Sequence, residues 1–156
     1  MSVTHQYTAT VAWSRNGAAF TDNRYSRAHE WRFDGGAVVP GSSAPQSVPL
    51  PYSDAAAVDP EEALVAAVSS CHMLFFLAFA GKKGWVVDSY TDNAAGTMDK
   101  NVDGKTAITR IVLKPRITFA GAAPAQADID NVHHRAHEAC YIANSIKAEV
   151  VIESAL

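Results

Sequence analysis

Residues 59–80 read DPEEALVAAVSSCHMLFFLAFA, and this stretch decides the fold. It opens with a helix-start signal, because Asp59 is a favoured N-cap residue, Pro60 suits the first helical position and Glu62 can complete a capping box. From Ala63 to Ala80 nearly every position is apolar, which in a soluble protein predicts a helix buried on all faces. Two glycines flanking two lysines follow and predict its end.

A transmembrane span is the other structure that such a length suits. Ser69, Ser70 and His72 lie at the middle of the stretch, and its start is acidic and capped, so the sequence favours a core helix. We therefore expect no membrane contact.

The 156 residues carry a net charge of -3, with 48% hydrophobic and 19% charged residues, which is typical of one globular domain over residues 1–156. The basic residues are scattered, so we expect no nucleic-acid surface and favour a small or uncharged ligand. Residues 1–13 alternate polar and apolar types and lack the basic and apolar regions of a secretory signal. A cytoplasmic location is expected.

The remaining segments predict strands and one further helix. Apolar residues at spacings of three and four predict an amphipathic helix over residues 125–146, and a turn signal at residues 15–17 predicts a first hairpin. The predicted strands cover residues 6–13, 29–33, 86–97, 106–119 and 147–153, and residues 35–53 predict a long irregular connection. This order predicts an α+β fold with antiparallel sheets, a long buried central helix and a second helix.

The chain contains two cysteines, Cys71 in the predicted central helix and Cys140 in the second. In a reducing cytoplasm we expect no permanent disulfide, and a core of this size does not need one. Free cysteines are among the most buried residue types, so small core residues are one interpretation and redox chemistry is the other. The residue types alone leave both interpretations open.

Two motifs around these cysteines resemble those of the OsmC/Ohr family, the osmotically inducible protein C-like and organic hydroperoxide resistance proteins. The first is Pro-Glu-Glu-Ala-Leu at residues 60–64 followed by Ala-Ala-Val-Ser-Ser-Cys at residues 66–71. The second is Ala-His-Glu-Ala-Cys at residues 136–140 followed by Ile-Ala-Asn-Ser-Ile at residues 142–146. The order of elements, the cysteine separation and the length also resemble that family across essentially the whole chain.

The resemblance implies an OsmC-like fold, an intertwined homodimer and a thiol peroxidase that reduces organic hydroperoxides. It implies that Cys71 is the peroxidatic cysteine, Cys140 the resolving cysteine and Glu61 a further active-site residue. It implies no bound cofactor, since electrons return from an external dithiol such as a lipoyl group. The chemistry agrees, because a thiolate is the nucleophilic form of cysteine and a second thiol traps the sulfenic acid before over-oxidation.

Helix geometry bears on how Glu61 and Cys71 could share a site. On one straight helix these residues lie about 15 Å apart, at about 1.5 Å per residue, which is too far for direct contact. Two copies of the helix packed antiparallel across a two-fold axis could bring Glu61 of one chain towards Cys71 of the other. This agrees with the homodimer that the resemblance implies.

Family members also use an active-site arginine, whose position varies between branches of the family. One branch has it before the motif glutamate, where this chain has Pro51, and another has it in the first hairpin, near Arg15. We expect Arg27 to supply the cation, ahead of Arg15 or Arg24, and His29 is a second candidate to donate to the thiolate. A solvated hairpin face is the alternative interpretation of each arginine.

The Leu, Phe and Met residues around Cys71 favour a substrate with an apolar tail. We expect Phe75, His72 and His29 to contact that substrate. Because neighbouring side chains on a helix point apart, a hydrogen-bonded core histidine is the alternative interpretation of His72.

His133 and His137 have the i, i+4 spacing that can hold a metal. No carboxylate or Cys-x-x-Cys pattern completes a ligand set, so we predict no metal site and expect these histidines, with His134, on the exposed face of the second helix. Tyr141 stands where the family commonly has proline after the second cysteine, which predicts a more regular helix around it.

The leading hypothesis is a peroxidase that cycles through a Cys71–Cys140 disulfide. The second is a binding or stress protein on the same fold, with weak or no turnover because the arginine is misplaced. The third is a protein whose two cysteines are purely structural, which predicts that neither thiol is alkylated in the native state.

Overall fold

The computed structural model describes residue 2 and residues 4–154 of the chain. Contacts between Cα atoms divide the chain into two compact units, Met1–Ala63 and Leu64–Leu156. The prediction of a single domain over residues 1–156 stays a prediction.

The N-terminal unit contains a three-stranded antiparallel sheet in the order β1-β2-β3. Its strands are β1 (Ala9–Ala12), β2 (His29–Phe33) and β3 (Val38–Gly41). β2 was predicted, β1 is shorter than predicted, and β3 lies inside the segment predicted to be irregular. β3 was missed because Pro40 and the flanking glycines give a turn-like composition, whereas its pairing with β2 supplies the order.

The predicted turn at residues 15–17 is present, with positive φ angles at Asn16 and Gly17. It does not join β1 and β2 directly, because residues 13–28 separate the two strands. The predicted hairpin is nevertheless present, because β1 and β2 are consecutive strands that pair antiparallel through this longer connection.

The C-terminal unit contains two sheets, a β4-β7 pair and a three-stranded sheet in the order β5-β6-β8. The strands are β4 (Val87–Asp92), β5 (Ala95–Lys100), β6 (Thr106–Leu113), β7 (Pro115–Phe119) and β8 (Glu149–Ile152). All pairs are antiparallel except β6 with β8, which run parallel.

Each of the two long predicted strands is thus split between two sheets. The interruption after β4 and the one after β6 are linked by hydrogen bonds. The side chain of Asp92, at the end of β4, accepts one bond from the Lys114 N–H between β6 and β7 and another from the Ser69 hydroxyl. Pro115 begins β7 directly after the second break, in agreement with its expected place at a strand edge or irregularity.

Helix α1 (Pro60–Lys82) begins where the sequence predicts. The Glu62 N–H donates to the Asp59 carboxylate at 2.8 Å, and the Asp59 N–H donates to the Glu62 carboxylate at 3.0 Å, which is a complete capping box. After α1 the chain turns through Gly84, whose φ of 79° is a left-handed conformation that glycine adopts readily.

Burial of α1 within one chain follows a single stripe. The fully buried residues lie four apart along one face: Val68, His72, Phe76 and Ala80. The prediction of burial on all faces is not met within one chain, because the rest of the helix surface is only partly covered, and Leu74 is 61% exposed. Among the described residues α1 is the one helix long and apolar enough to span a membrane by length and composition, a criterion that core helices also meet.

The buried stripe contacts two apolar clusters of the C-terminal unit. Phe76 and Ala80 pack with residues of the second helix, including Ile129 and Val132. Val68 packs with Ile111 and Leu113 of β6. The central position of α1 therefore organises this unit, as predicted.

Helix α2 (Gln126–Ala139) ends earlier than the predicted residue 146. Cys140 is its C-cap residue, with an extended backbone at φ -64° and ψ 110°, and a 3-10 turn (Ala143–Ser145) follows. The expectation that Tyr141 would make this region more regular was wrong. The helix ends here without proline, because Cys140 adopts an extended backbone and its N–H bonds to the His137 carbonyl.

We predict that Asp59→Ala lowers the free energy of unfolding by about 1 kcal/mol, because it removes the N-cap of α1. Urea denaturation followed by circular dichroism measures the change. Glu138→Ala, an exposed change on α2, is the matched control and should alter stability little. An unchanged midpoint for Asp59→Ala would show that the capping box does not limit stability.

Candidate active site

The C-terminal unit brings the two cysteines together. Cys71 lies midway along α1 and is partly exposed, while Cys140, at the end of α2, is 1% exposed, and both are free thiols. The two thiols are near enough for Cys71 to raise the pKa of Cys140. A pair of redox-active cysteines requires such proximity. Two cysteines that serve only as core residues do not need to lie near each other.

The environment of Cys140 makes its thiol hard to ionise. Burial raises the pKa of Cys140 to about 11, and the hydrogen bond and charge repulsion with Cys71 act in the same direction. The Ala143 N–H donates to its sulfur at 3.4 Å, which lowers the pKa but does not offset burial. Cys140 is therefore a protonated, shielded thiol at neutral pH.

An aromatic pair lies beside the cysteines. Phe75, one helical turn after Cys71, contacts the ring of Tyr141 edge-to-face, with the ring centroids 5.0 Å apart. Tyr141 directly follows Cys140 and is 71% exposed. The sequence predicted a substrate contact at Phe75, but it did not indicate Tyr141, whose proximity to Phe75 depends on how α2 ends.

The four histidines of this unit differ in exposure, and two of them form a buried pair. His72 and His133 are buried, their rings stack, and Nε2 of His72 lies 2.9 Å from Nδ1 of His133. This agrees with the interpretation of His72 as a hydrogen-bonded core histidine, and its role as a substrate contact stays a prediction. The expected exposure of His133 was wrong, because its face of α2 packs against α1.

His137, one turn further along α2, is partly buried, and its Nδ1 has no hydrogen-bond partner among the described residues. His134 is exposed, as expected. Among the described residues no group of three or more histidine, cysteine or acidic side chains is placed to hold a metal ion.

A second concave site lies within the N-terminal unit. It is a pocket of about 430 Å³ with aromatic, hydroxyl and charged walls. Its lining residues are Trp13, Phe20, Tyr25, Arg27, His29, Ser42, Ser43, Ser47, Pro60 and Glu61. Three residues predicted for the active site, Arg27, His29 and Glu61, are thus together in one pocket, whereas the aromatic wall was not predicted.

The contacts of Arg27 fix its guanidinium group. Its Nη1 donates to the carbonyl oxygens of Asn23 and Tyr25, and the group stacks over the Tyr25 ring, with Cζ 3.7 Å from the centroid. Arg15 and Arg24 do not line the pocket, since Arg15 donates to the Ala18 carbonyl in its own turn and Arg24 to the Tyr52 hydroxyl. Arg27 is the arginine of the three that reaches this pocket.

Both ring nitrogens of His29 are engaged. The Trp31 indole N–H donates to Nε2 at 2.9 Å, so Nδ1 carries the proton and donates to the Arg27 carbonyl at 2.7 Å. Gly41 leaves room for this arrangement, because a Cβ there would lie 2.6 Å from His29 Nε2 and 2.7 Å from Trp31 Nε1. His29 therefore has no free N–H with which to stabilise a thiolate.

Glu61 has a carboxylate oxygen, Oε2, that is buried without a hydrogen-bond partner. Arg27 and Glu61 line the same pocket but form no ion pair among the described residues. An unpaired buried carboxylate oxygen is costly, so a donor supplied by a ligand would find a ready acceptor here.

The family model of OsmC-like proteins matches residues 53–155, the segment that contains α1, both cysteines and all of the C-terminal unit described above. The chain belongs to the OsmC-like family. An OsmC-like protein of unknown function from Vibrio cholerae is 51% identical in sequence, with a TM-score of 0.95, over 97% of this chain and 100% of that one. No protein of curated function matches the chain significantly.

More distant solved structures have the same fold. An organic hydroperoxide resistance protein OsmC from Legionella pneumophila is 13% identical, with a TM-score of 0.67 over 99% of this chain and 100% of that one. An organic hydroperoxide resistance protein from Elizabethkingia anophelis is also 13% identical, with a TM-score of 0.71 over 99% and 96%. The OsmC-like α+β fold predicted from the sequence is thereby confirmed.

We predict that iodoacetamide alkylates Cys71 of the native protein about ten-fold faster than Cys140 at pH 7.5, because alkylation needs an accessible thiolate. Peptide mass mapping over time measures both rates, and Cys71→Ser should abolish the fast phase. Equal resistance of both thiols would favour purely structural cysteines.

We predict that acid destabilises the fold between pH 6.5 and pH 4. Burial, the largest cause for both, lowers the pKa of His72 and of His133 from 6.5 to about 4. The unfolded chain therefore binds more protons in this window, so stability is complete above pH 6.5 and is lost as the pH falls through the folded pKa.

Urea denaturation at a series of pH values measures this loss. His134→Leu should keep the pH dependence, whereas His72→Leu combined with His133→Leu should flatten it. A wild-type curve that is flat between pH 6.5 and pH 4 would contradict the assignment.

Proposed function

We propose that this OsmC-like protein is a thiol-dependent peroxidase that reduces organic hydroperoxides through a Cys71–Cys140 disulfide. The observation that carries the proposal is the proximity of a partly exposed thiol on α1 to a buried thiol with a raised pKa at the end of α2. The fold shared with organic hydroperoxide resistance proteins is consistent with this function.

The chemistry proceeds in three steps. The Cys71 thiolate attacks the terminal peroxide oxygen, the O–O bond breaks, and the alkoxide leaves with a proton as alcohol while Cys71 becomes a sulfenic acid. The Cys140 thiol, once deprotonated, attacks the Cys71 sulfur, so that the disulfide forms and water leaves. An external dithiol, of which a lipoyl group is one type, then exchanges with the disulfide and returns both thiols.

The difference between the two thiols supports the assignment of roles. An exposed thiol can meet a substrate, whereas a buried thiol with a pKa of about 11 reacts poorly with solutes and well with a sulfur already in contact. We assign Phe75 and the neighbouring Tyr141 to the apolar tail of the hydroperoxide, because their edge-to-face pair lies next to both cysteines.

The remaining roles follow from the pocket of the N-terminal unit. We assign Arg27 and Glu61 to the active site of a cytoplasmic homodimer, in which they would serve the cysteines of the partner subunit. The partly covered surface of α1 is consistent with a second copy packing on it. His29 is assigned to the substrate-facing wall and not to activation of the thiolate, because its N–H is already donated.

We predict that one equivalent of cumene hydroperoxide converts the reduced protein to the Cys71–Cys140 disulfide, and does so faster than hydrogen peroxide. Thiol titration and peptide mapping measure the product. Cys71→Ser should abolish peroxide consumption, whereas Cys140→Ser should still consume one equivalent but stop at a sulfenic acid that dimedone traps. If cumene hydroperoxide produced no Cys71–Cys140 disulfide in the wild type, the result would contradict the proposal.

A second function, ligand binding with weak or no turnover, is favoured by one observation. The guanidinium of Arg27 is occupied by two backbone carbonyls and the Tyr25 ring, and it does not pair with Glu61. On this alternative Cys71 would be oxidised by cumene hydroperoxide no faster than a small-molecule thiol of similar pKa, and Arg27→Lys would leave that rate unchanged. A clear rate loss in Arg27→Lys would favour the peroxidase.

A further inference from the structure

The His72–His133 hydrogen bond is the one fully buried side chain to side chain hydrogen bond among residues 4–154. Its surroundings are apolar: Phe76 stacks on His133 with the ring centroids 4.3 Å apart, and Ile129, Val132 and Ala136 complete the contact between α1 and α2. Apolar contacts have no preferred direction, so by themselves they specify the position of one helix along another only loosely.

A buried hydrogen bond has the opposite property. It depends steeply on distance and angle, and any shift of α2 along or around α1 would leave two buried ring nitrogens without partners, which is costly. Nε2 of His133 has no hydrogen-bond partner among the described residues, so the bond to His72 is what anchors this ring. A single buried polar pair can specify helix register in this way.

The pair is connected to both cysteines through short lengths of helix. His72 directly follows Cys71 on α1. His133 precedes Cys140 by two turns of α2, about 10 Å along the axis, and lies on the same face. A rotation or translation of α2 that broke the histidine bond would therefore also move the Cys140 sulfur away from Cys71.

We propose that the His72–His133 hydrogen bond sets the register of α2 against α1 and thereby holds the Cys140 thiol at the distance needed to close the disulfide with Cys71. Both histidines are positioning residues, because their side chains bond to each other and, among the described residues, form no hydrogen bond to either cysteine sulfur. That this register serves catalysis rests on the proposed peroxidase function. That the histidine bond sets the register of the two helices does not depend on that function.

Both pKa values support the pairing at neutral pH. Burial keeps the two imidazoles uncharged, so one ring nitrogen can donate and the other accept. Mutual repulsion would oppose a pair in which both rings were charged.

The test measures the effective concentration of the two thiols without any peroxide. In glutathione buffers the reaction of the reduced pair with one oxidised glutathione gives the protein disulfide and two reduced glutathione molecules, and its equilibrium constant is read after acid quenching by mass spectrometry. We expect His133→Leu to lower this constant about 10- to 100-fold relative to the wild type, because small misplacements of reacting groups have effects of that size.

Two further variants separate register from stability. In the double variant His72→Leu with His133→Leu no buried nitrogen is left unpaired, so we expect most of the stability to return while the equilibrium constant stays low. In His133→Asn the amide can occupy the position of Nδ1 and bond to His72, so we expect near wild-type values for both. His134→Leu is the control on the exposed face of α2 and should change neither.

The outcomes are separable. A folded double variant with the wild-type equilibrium constant would overturn the proposal, since the histidine pair would then fill space in the core without setting the helix register. A wild type that forms no Cys71–Cys140 disulfide in glutathione would overturn it as well. A wild type that forms this disulfide in glutathione but not with hydroperoxide would refute the peroxidase, and the comparison of variants would still decide the register.

Discussion

The C-terminal unit depends on the burial of one stripe of α1. The stripe repeats every four residues from Val68 to Ala80, and the two apolar clusters of the unit assemble on its two halves. Without α1 neither cluster would be closed, because each contributes only a few fully buried side chains of its own. The helix that carries Cys71 therefore also contributes buried side chains to both clusters, so the backbone at this thiol is fixed by packing on either side of it.

The same packing gives the two cysteines different environments. Cys71 stands one position before the buried His72, at the margin of the stripe, and keeps partial access to solvent. Cys140 closes the end of α2 against α1 and is fully buried. One thiol is accessible and the other is shielded, although both belong to the same helix pair. The difference in solvent exposure between the two thiols thus follows from where each lies on the packed surface of its helix.

The features that the sequence predicts correctly are those determined by interactions between residues close together in the chain. The start of α1 follows from the side chains of Asp59 and Glu62, which satisfy neighbouring N–H groups whatever the rest of the chain does. The family motifs also indicated both cysteines and Glu61, whose roles stay predictions. By contrast, the break after Asp92, the end of α2 at Cys140 and the burial of His133 depend on partners distant in sequence, which the periodicity of a single segment does not reveal.

The termination of α2 also affects how the molecule can move. A residue inside a helix is held by hydrogen bonds on both sides, so drawing its side chain towards a new partner bends or unwinds the helix. Cys140 is the C-cap, with an extended backbone, and only the short 3-10 turn lies between it and the segment that leads to β8. A shift of its side chain therefore requires changes in backbone angles at the end of α2 and none inside the helix. Under the proposed function, closing the disulfide would leave the hydrogen bonds of both helices intact.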